Sequence, residues 1–395
     1  MRQKVCCVLW ARNSVQQQFK MVAKACVVLS RDFFLSKVLS VLLCGVLCSG
    51  VACGEVESLI TGMFPGEDGQ KEKKTEQVII LSTTPTDVEY ENNAAELSRI
   101  PLSDIVEISF IDEPPNLAAA REFLENGLPD EARKQFEEIS DDEWSGLPEE
   151  VLVEKQFVFA AFAGRLAIES GDNLVEADKL LSEFLAANPR SYHFYEIENI
   201  YGTLKFKEGD YAAAMQAFGV LSKGPSSYKI QALNGKGEIL IKQRKFVEAI
   251  SEYDAALSVS ANDTTSLKRK QEAALGKARA LSGLVKHDDA LKLVKSTINA
   301  SNPDDKSFLS RAYVVLGEVY RAVQGREQEA LVAYLTVDLV YNVAPESHAE
   351  ALYYLSNLWA IARQEERSRQ AGQILKDAYP QSEWAKKLVQ EEKKS

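Results

Sequence analysis

The sequence predicts a mainly α protein: an α-solenoid of about six to seven helix pairs preceded by a small antiparallel β segment. Two observations carry this reading. Alanines at 132, 177, 214, 249, 290 and 330 recur at intervals of 45, 37, 35, 41 and 40 residues within helically spaced apolar residues. Between Gln77 and Asp112 the apolar period falls to two, the repeat of a half-buried strand. With 46% hydrophobic and 26% charged residues, the chain of 395 residues has enough apolar material for a packed core.

The first element is an address. Residues 1–53 carry seven Lys/Arg and one acid, a net +6, which leaves −18 on the remainder. Val38–Gly54 has no charge, follows Arg31 and Lys37, and precedes Glu55 and Glu57. A basic flank, an apolar run and then small residues is the pattern of an export signal, shorter than the roughly 20 residues of a spanning helix. Residues 1–53 are therefore expected to be a signal peptide or, alternatively, an uncleaved membrane anchor; a start at Met21 would give a conventional leader length. Gly50 and Ala52 are small at the positions a signal peptidase inspects, making Cys53 a candidate first mature residue. Gly50-Val51-Ala52-Cys53 resembles a lipoprotein processing site in part, without the usual Leu three residues before the cysteine, and Cys53 is then the candidate lipidation site.

Residues 54–76, ending in FPGEDGQKEKKTE, are rich in Gly and charge and are expected to form a flexible linker. The β module is assigned to 77–113, with strands around Val78–Leu81, Val88–Tyr90, Leu97–Ile100 and Ile105–Phe110 separated by turn formers at Pro85, Asn92-Asn93 and Pro101. So few residues bury little alone and should lean on the helices that follow Pro114-Pro115. The Ile100-Pro101, Asp104-Ile105, Ile108 and Phe110 pattern is similar to small strand modules that precede helical repeats in bacterial envelope proteins. The module either caps the array or offers a docking edge.

From 114 to 395 the pattern is helical. Four residues after each repeat alanine stands a larger apolar residue, Phe136, Leu181, Phe218, Tyr253, Val294 or Tyr334. Twelve before it the first helix carries Ala120, Gly202, Gly237 or Ala278, and Gly317 serves after a shift of one. Small residues let antiparallel helices approach, and the large residue fills the space to the next unit. Gly171-Asp172, Gly209-Asp210 and Gly127 to Pro129 supply turns. A divergent seventh pair runs from about Glu346 to Val389, its small residue being Ser368 or Ala371. These marks resemble tetratricopeptide-repeat proteins of the bacterial cell envelope over about 275 residues; HEAT-like helix pairs are the alternative.

That resemblance implies a superhelical groove lined by first helices, with Asn199, Thr203, Asn234, Glu238, Arg279, Arg311, Glu318, Arg321, Tyr353 and Asn357 at lining positions. Arg279, Arg311 and Arg321 there suit the carboxylates of an acidic peptide or chain terminus, unless they make ordinary ion pairs. A protein or peptide partner is expected, in an envelope scaffold or, alternatively, in a tethered assembly subunit that uses its outer faces. The acidic body argues against nucleic acid. No cysteine follows Cys53, so the folded part has no thiolate metal site or cysteine nucleophile. His193, His287 and His348 lack a histidine three or four residues away and are read as surface or junction residues. No phosphate-loop, dinucleotide, HExxH or GxSxG motif occurs, and neither a cofactor nor catalysis is expected.

Overall fold

The structure, a computed structural model, describes residues 56–66, 70–261 and 263–393. The leader and Cys53 lie outside these residues. The region from Glu55 to the C-terminus is one compact unit.

It begins with five strands: β1 (Val56–Pro65), β2 (Lys71–Thr83), β3 (Asp87–Asn92), β4 (Leu97–Pro101) and β5 (Ile105–Phe110). All neighbours are antiparallel, in the order β4-β3-β2-β1-β5. The edge strands β4 and β5 are joined by one 3₁₀ turn, Leu102–Asp104, so the sheet must coil until its edges nearly meet. Gly62 makes the closure feasible, because a Cβ there would lie 2.7 Å from the Asp104 carbonyl oxygen.

The expected linker at 54–76 is corrected by this hairpin, and the β module starts some 20 residues before 77. The alternation in β1 is obscured because Ser58 and Gly62 face inward with Ile60 and Phe64, while Leu59 is exposed. Most of the charged stretch of β2 faces solvent and is held by its register with β1, Thr61 opposite Thr75 and Phe64 opposite Glu72. Lys74 covers the Phe64 ring, its ammonium 5.3 Å from the centroid.

Fifteen helices follow, α1 to α14 forming seven pairs: α1 (Pro115–Glu125) with α2 (Pro129–Glu137), α3 (Glu149–Ser170) with α4 (Leu174–Ala187), α5 (Phe194–Glu208) with α6 (Tyr211–Leu221), α7 (Ser226–Lys242) with α8 (Phe246–Ser258), α9 (Thr264–Gly283) with α10 (His287–Ala300), α11 (Lys306–Arg321) with α12 (Glu327–Val340), and α13 (Pro345–Ile361) with α14 (Glu365–Ala378). α15 (Glu383–Glu392) closes the stack. Asp210, Asp263, Asp305 and Ser382 cap helices by accepting from backbone N–H groups. Several pairs turn through a residue of positive φ, Gly209 at +83° but Val285 at +63°. A β-branched residue is strained there. Because Val285 is 75% exposed and has no packing to lose, Val285→Gly is expected to raise unfolding free energy by about 1 kcal/mol in urea titration.

Each repeat alanine, from Ala132 to Ala330, is buried. In four of the pairs the large residue four positions on packs against a small residue of a first helix. Phe218 lies between Gly202 of its own pair and Gly235 of the next, where added Cβ atoms would come within 2.9 and 2.5 Å of its ring. Tyr253 is held in the same way between Gly237 and Gly276, and Tyr334 against Gly317. The second pair, which shows no small residue at the regular spacing, uses Gly164 against Leu181, with the same one-residue shift as Gly317. In the seventh pair Ala371 is the packing residue, with Leu375 fully buried four positions later.

Successive first helices touch one another from α1 to α13, whereas second helices are linked through first helices. The odd-numbered helices therefore form the inner wall of a curved stack.

Candidate functional site

The inner wall of α5 to α13 is the candidate site. Asn199 and Asn234 present Oδ1 atoms that are buried without a hydrogen-bond partner, although Asn234 Nδ2 donates to the Arg269 carbonyl at 2.8 Å. Thr203 turns inward and donates to the Asn199 carbonyl at 2.8 Å. Glu238 is reached by water yet crowded by the concave wall. Desolvation pushes its carboxyl up, and the Arg279 charge opposes this.

Two groove arginines are already engaged. Arg279 Nε donates to Glu318 at 2.7 Å. Arg311 grips Glu272 Oε1 with Nε at 2.9 Å and Nη2 at 2.6 Å. Arg321 lies over the Tyr354 ring, 3.7 Å from its centroid. Concentrated positive charge is thus not what these residues present: the pairing is the ordinary ion pairing weighed against it. Tyr353 is corrected as a lining residue, being 4% exposed beneath α15 with its hydroxyl donating to Glu391 at 2.8 Å. Asn357, partly exposed one turn on, bonds to Tyr353. Glu272 and Glu350 belong to the wall and were not singled out from sequence; both face it from the first helices, α9 and α13. Burial, followed by the charge of the neighbouring Glu318, pushes the Glu350 pKa well up.

A buried ionic network holds the first three pairs in register. Arg121 of α1 grips Glu113 with two hydrogen bonds of 2.6 Å and reaches Glu154 of α3 at 3.3 Å. Glu154, 1% exposed, also accepts from Tyr192 at 2.6 Å and lies 3.1 Å from His193 Nε2. The imidazole stacks on Phe157, centroids 3.4 Å apart, and Glu196 lies 3.8 Å from its Nδ1. Burial alone would raise the Glu154 pKa, but His193, Arg121 and Tyr192 more than offset it and hold the group at about 2. Burial likewise opposes the charge on His193, and Glu154 outweighs it, so its pKa is raised.

His193 is a junction residue as expected, but one largely covered, with its pKa raised by Glu154. His348 is corrected from surface to core: it is 8% exposed and bonded at 2.8 Å to both Asp338 and the Tyr379 hydroxyl. Glu154 carried a sequence signal, since Val151, Glu154, Phe157, Val158 and Ala161 form one buried stripe. A carboxylate on such a stripe requires buried partners. Among the described residues no group of His, Cys, Asp and Glu has metal-binding geometry, and no helix is long and apolar enough to cross a membrane.

Helix pairs with a small residue facing a large one, first helices inside and a closing helix at the end define a tetratricopeptide-type α-solenoid carrying an N-terminal five-stranded sheet. No protein-family model and no curated protein matches the sequence. Solved structures do match. A Rap protein complexed with competence and sporulation factor is 15% identical, over 68% of this chain and 76% of that one, with a TM-score of 0.49. A tetratricopeptide repeat protein from Parabacteroides merdae is 16% identical over 70% and 96%, TM-score 0.48. PilW, a widely conserved type IV pilus biogenesis factor, is 16% identical over 58% and 98%, TM-score 0.41. At these identities the likeness concerns the fold alone.

Proposed function

We propose that this chain is a non-catalytic scaffold of the bacterial envelope that holds a protein or peptide segment along the inner wall. One observation carries the reading: Asn199 and Asn234, one repeat apart on α5 and α7, each keep a buried Oδ1 without a partner. An unsatisfied buried acceptor costs about 1–3 kcal/mol, which a ligand's N–H relieves. Acceptors repeating along a wall suit an extended chain, whose N–H groups also repeat. The envelope setting rests on the leader in residues 1–53.

A second reading, an assembly subunit tethered through Cys53 or an uncleaved leader, is supported by apolar residues on α12 and just beyond it. Val332, Leu339, Val340 and Val343 are between 52% and 73% exposed. Photo-crosslinkers at Thr203 and Asn357, against Leu339 and Val175, separate the readings in cells. Adducts formed from the first two sites alone are expected. Adducts confined to Leu339 favour the assembly subunit, and equal yields at all four sites contradict groove binding.

A further inference from the structure

On the outer surface of the solenoid, the described residues leave one apolar helix face uncovered. We infer that the outward stripe of α12 is a self-association surface, which pairs with the same stripe of a second copy of this chain about a two-fold axis. The inference stands whatever the groove holds.

The other repeats supply the comparison. Two, six and nine residues after its repeat alanine, a second helix faces away from its pair. At these places α4 carries Lys179, Glu183 and Ala186, and α10 carries Lys292, Ser296 and Asn299, all exposed. α12 carries Val332, Thr336 and Leu339, and Val343 continues the line. Packing within the chain does not call for them, because α12 buries Ala330, Ala333, Tyr334 and Val337 on its other side. Val332, Leu339 and Val343 are each more than half exposed. Thr336 spends its hydroxyl on the Val332 carbonyl at 2.9 Å, so the stripe offers water no hydroxyl proton there. Asp338, the one charge between Ala330 and Ala344, is bonded to His348 of α13. A helix that is apolar on both sides belongs between two partners.

The form of the stripe points to a second copy as the missing partner. Steps of four, three and four residues from Val332 to Val343 make a coiled-coil seam, which is matched by a like seam. A two-fold axis brings each residue near its own twin, so a charge on such a face meets a like charge. Leu335 and Val340, which flank the seam, carry none, whereas Lys179 and Glu183 or Lys292 on the other helices would be opposed. A foreign helix is selected by opposite charges at those flanking places, and α12 has none to offer it. The seam is about 16 Å long. One helix-on-helix contact of that length falls short of the roughly 800 Å² per partner of a stable dimer, which sets the Kd on the order of 10 µM. Because first helices form the inner wall, pairing through α12 leaves both grooves open and makes the dimer bivalent.

Sedimentation equilibrium of the full chain between about 1 and about 100 µM tests this, with the average mass expected to rise from one copy to two. Screening of the two acidic bodies should tighten the dimer about two- to threefold as salt rises from about 50 to about 300 mM. Leu339→Glu should weaken it at least about tenfold, whereas Val175→Glu, at an exposed valine of α4, should leave it unchanged. Mixing Leu339→Lys with Leu339→Glu should restore association to within about threefold of the parent, a rescue that only a self-paired seam gives. At about 1 µM, where the parent is monomeric, the urea midpoint of Leu339→Glu should match the parent's. A single copy at every concentration overturns the inference. So does a dimer that Leu339→Glu leaves intact, or one that weakens as salt rises. In cells, a self-adduct from a photo-crosslinker at Leu339 has twice the chain mass and is counted apart from the partner adducts of the groove test. Leu339 adducts to another protein with no self-adduct give the face to the assembly reading and overturn the inference, while capture at Thr203 is unaffected by either result.

Discussion

Glu154→Gln is expected to lower the free energy of unfolding by about 3–5 kcal/mol, because it leaves Arg121 and His193 buried without their shared anion. The amide nitrogen would also face donors on several sides, from Arg121, Tyr192 and His193. The pH dependence follows from the two titrating partners. The Glu154 pKa falls from 4.5 to about 2 on folding, so its stabilisation is complete above pH 4.5 and is lost as pH falls towards about 2. The His193 pKa rises on folding, so its contribution is complete below pH 6.5 and is lost as pH climbs through the raised value. The network should therefore stabilise most between pH 4.5 and 6.5. Urea titrations from pH 3 to 9 check this, and Glu154→Gln should flatten the profile.

Tyr253→Ala is expected to cost about 3–5 kcal/mol and to split one unfolding transition into two. Its ring lies between α7 and α9 in a small central core, with larger cores on either side, one from Ile60 to Leu204 and one from Leu275 to Leu388. Emptying the slot removes the packing that couples these blocks. The hydroxyl contributes nothing, being buried without a partner, so Tyr253→Phe should be neutral or slightly stabilising. Gly276→Ala should cost about 1–3 kcal/mol by driving a Cβ into the same ring. Combined with Tyr253→Leu it should cost less than the sum of the two single changes, a coupling read by calorimetry of the four proteins.

The solenoid was legible because its packing rule is local: a small residue, then a large one about four turns later across a helix pair, repeats whatever the loops do. The same rule placed Ala371 among the candidates for the last pair. Gly164 escaped because its helix pair is offset by one residue, although Gly317 showed that offset elsewhere. The first hairpin was hidden for a different reason. Its inner face contains Ser58 and Gly62, the latter where the Asp104 carbonyl comes close, and its charged half is held by strand partners rather than burial. The residues named for the groove lie on first helices, but the pairing of Arg279 with Glu318 and of Arg311 with Glu272 spans 39 residues each and is set by superhelix geometry. Tyr353 was misjudged because α15 covers it. The ionic network depends on Glu113, Arg121, Glu154 and His193 meeting from a loop, two helices and a junction, which no single-segment pattern reveals.

Amide hydrogen exchange on the chain, alone and with the segment captured at Thr203 or Asn357, tests the central claim most directly. Added protection is predicted along α5, α7, α9, α11 and α13, with α10 and α12 unchanged. Protection confined to α12 or to the strand edges β4 and β5, with the inner wall unaltered, would contradict it.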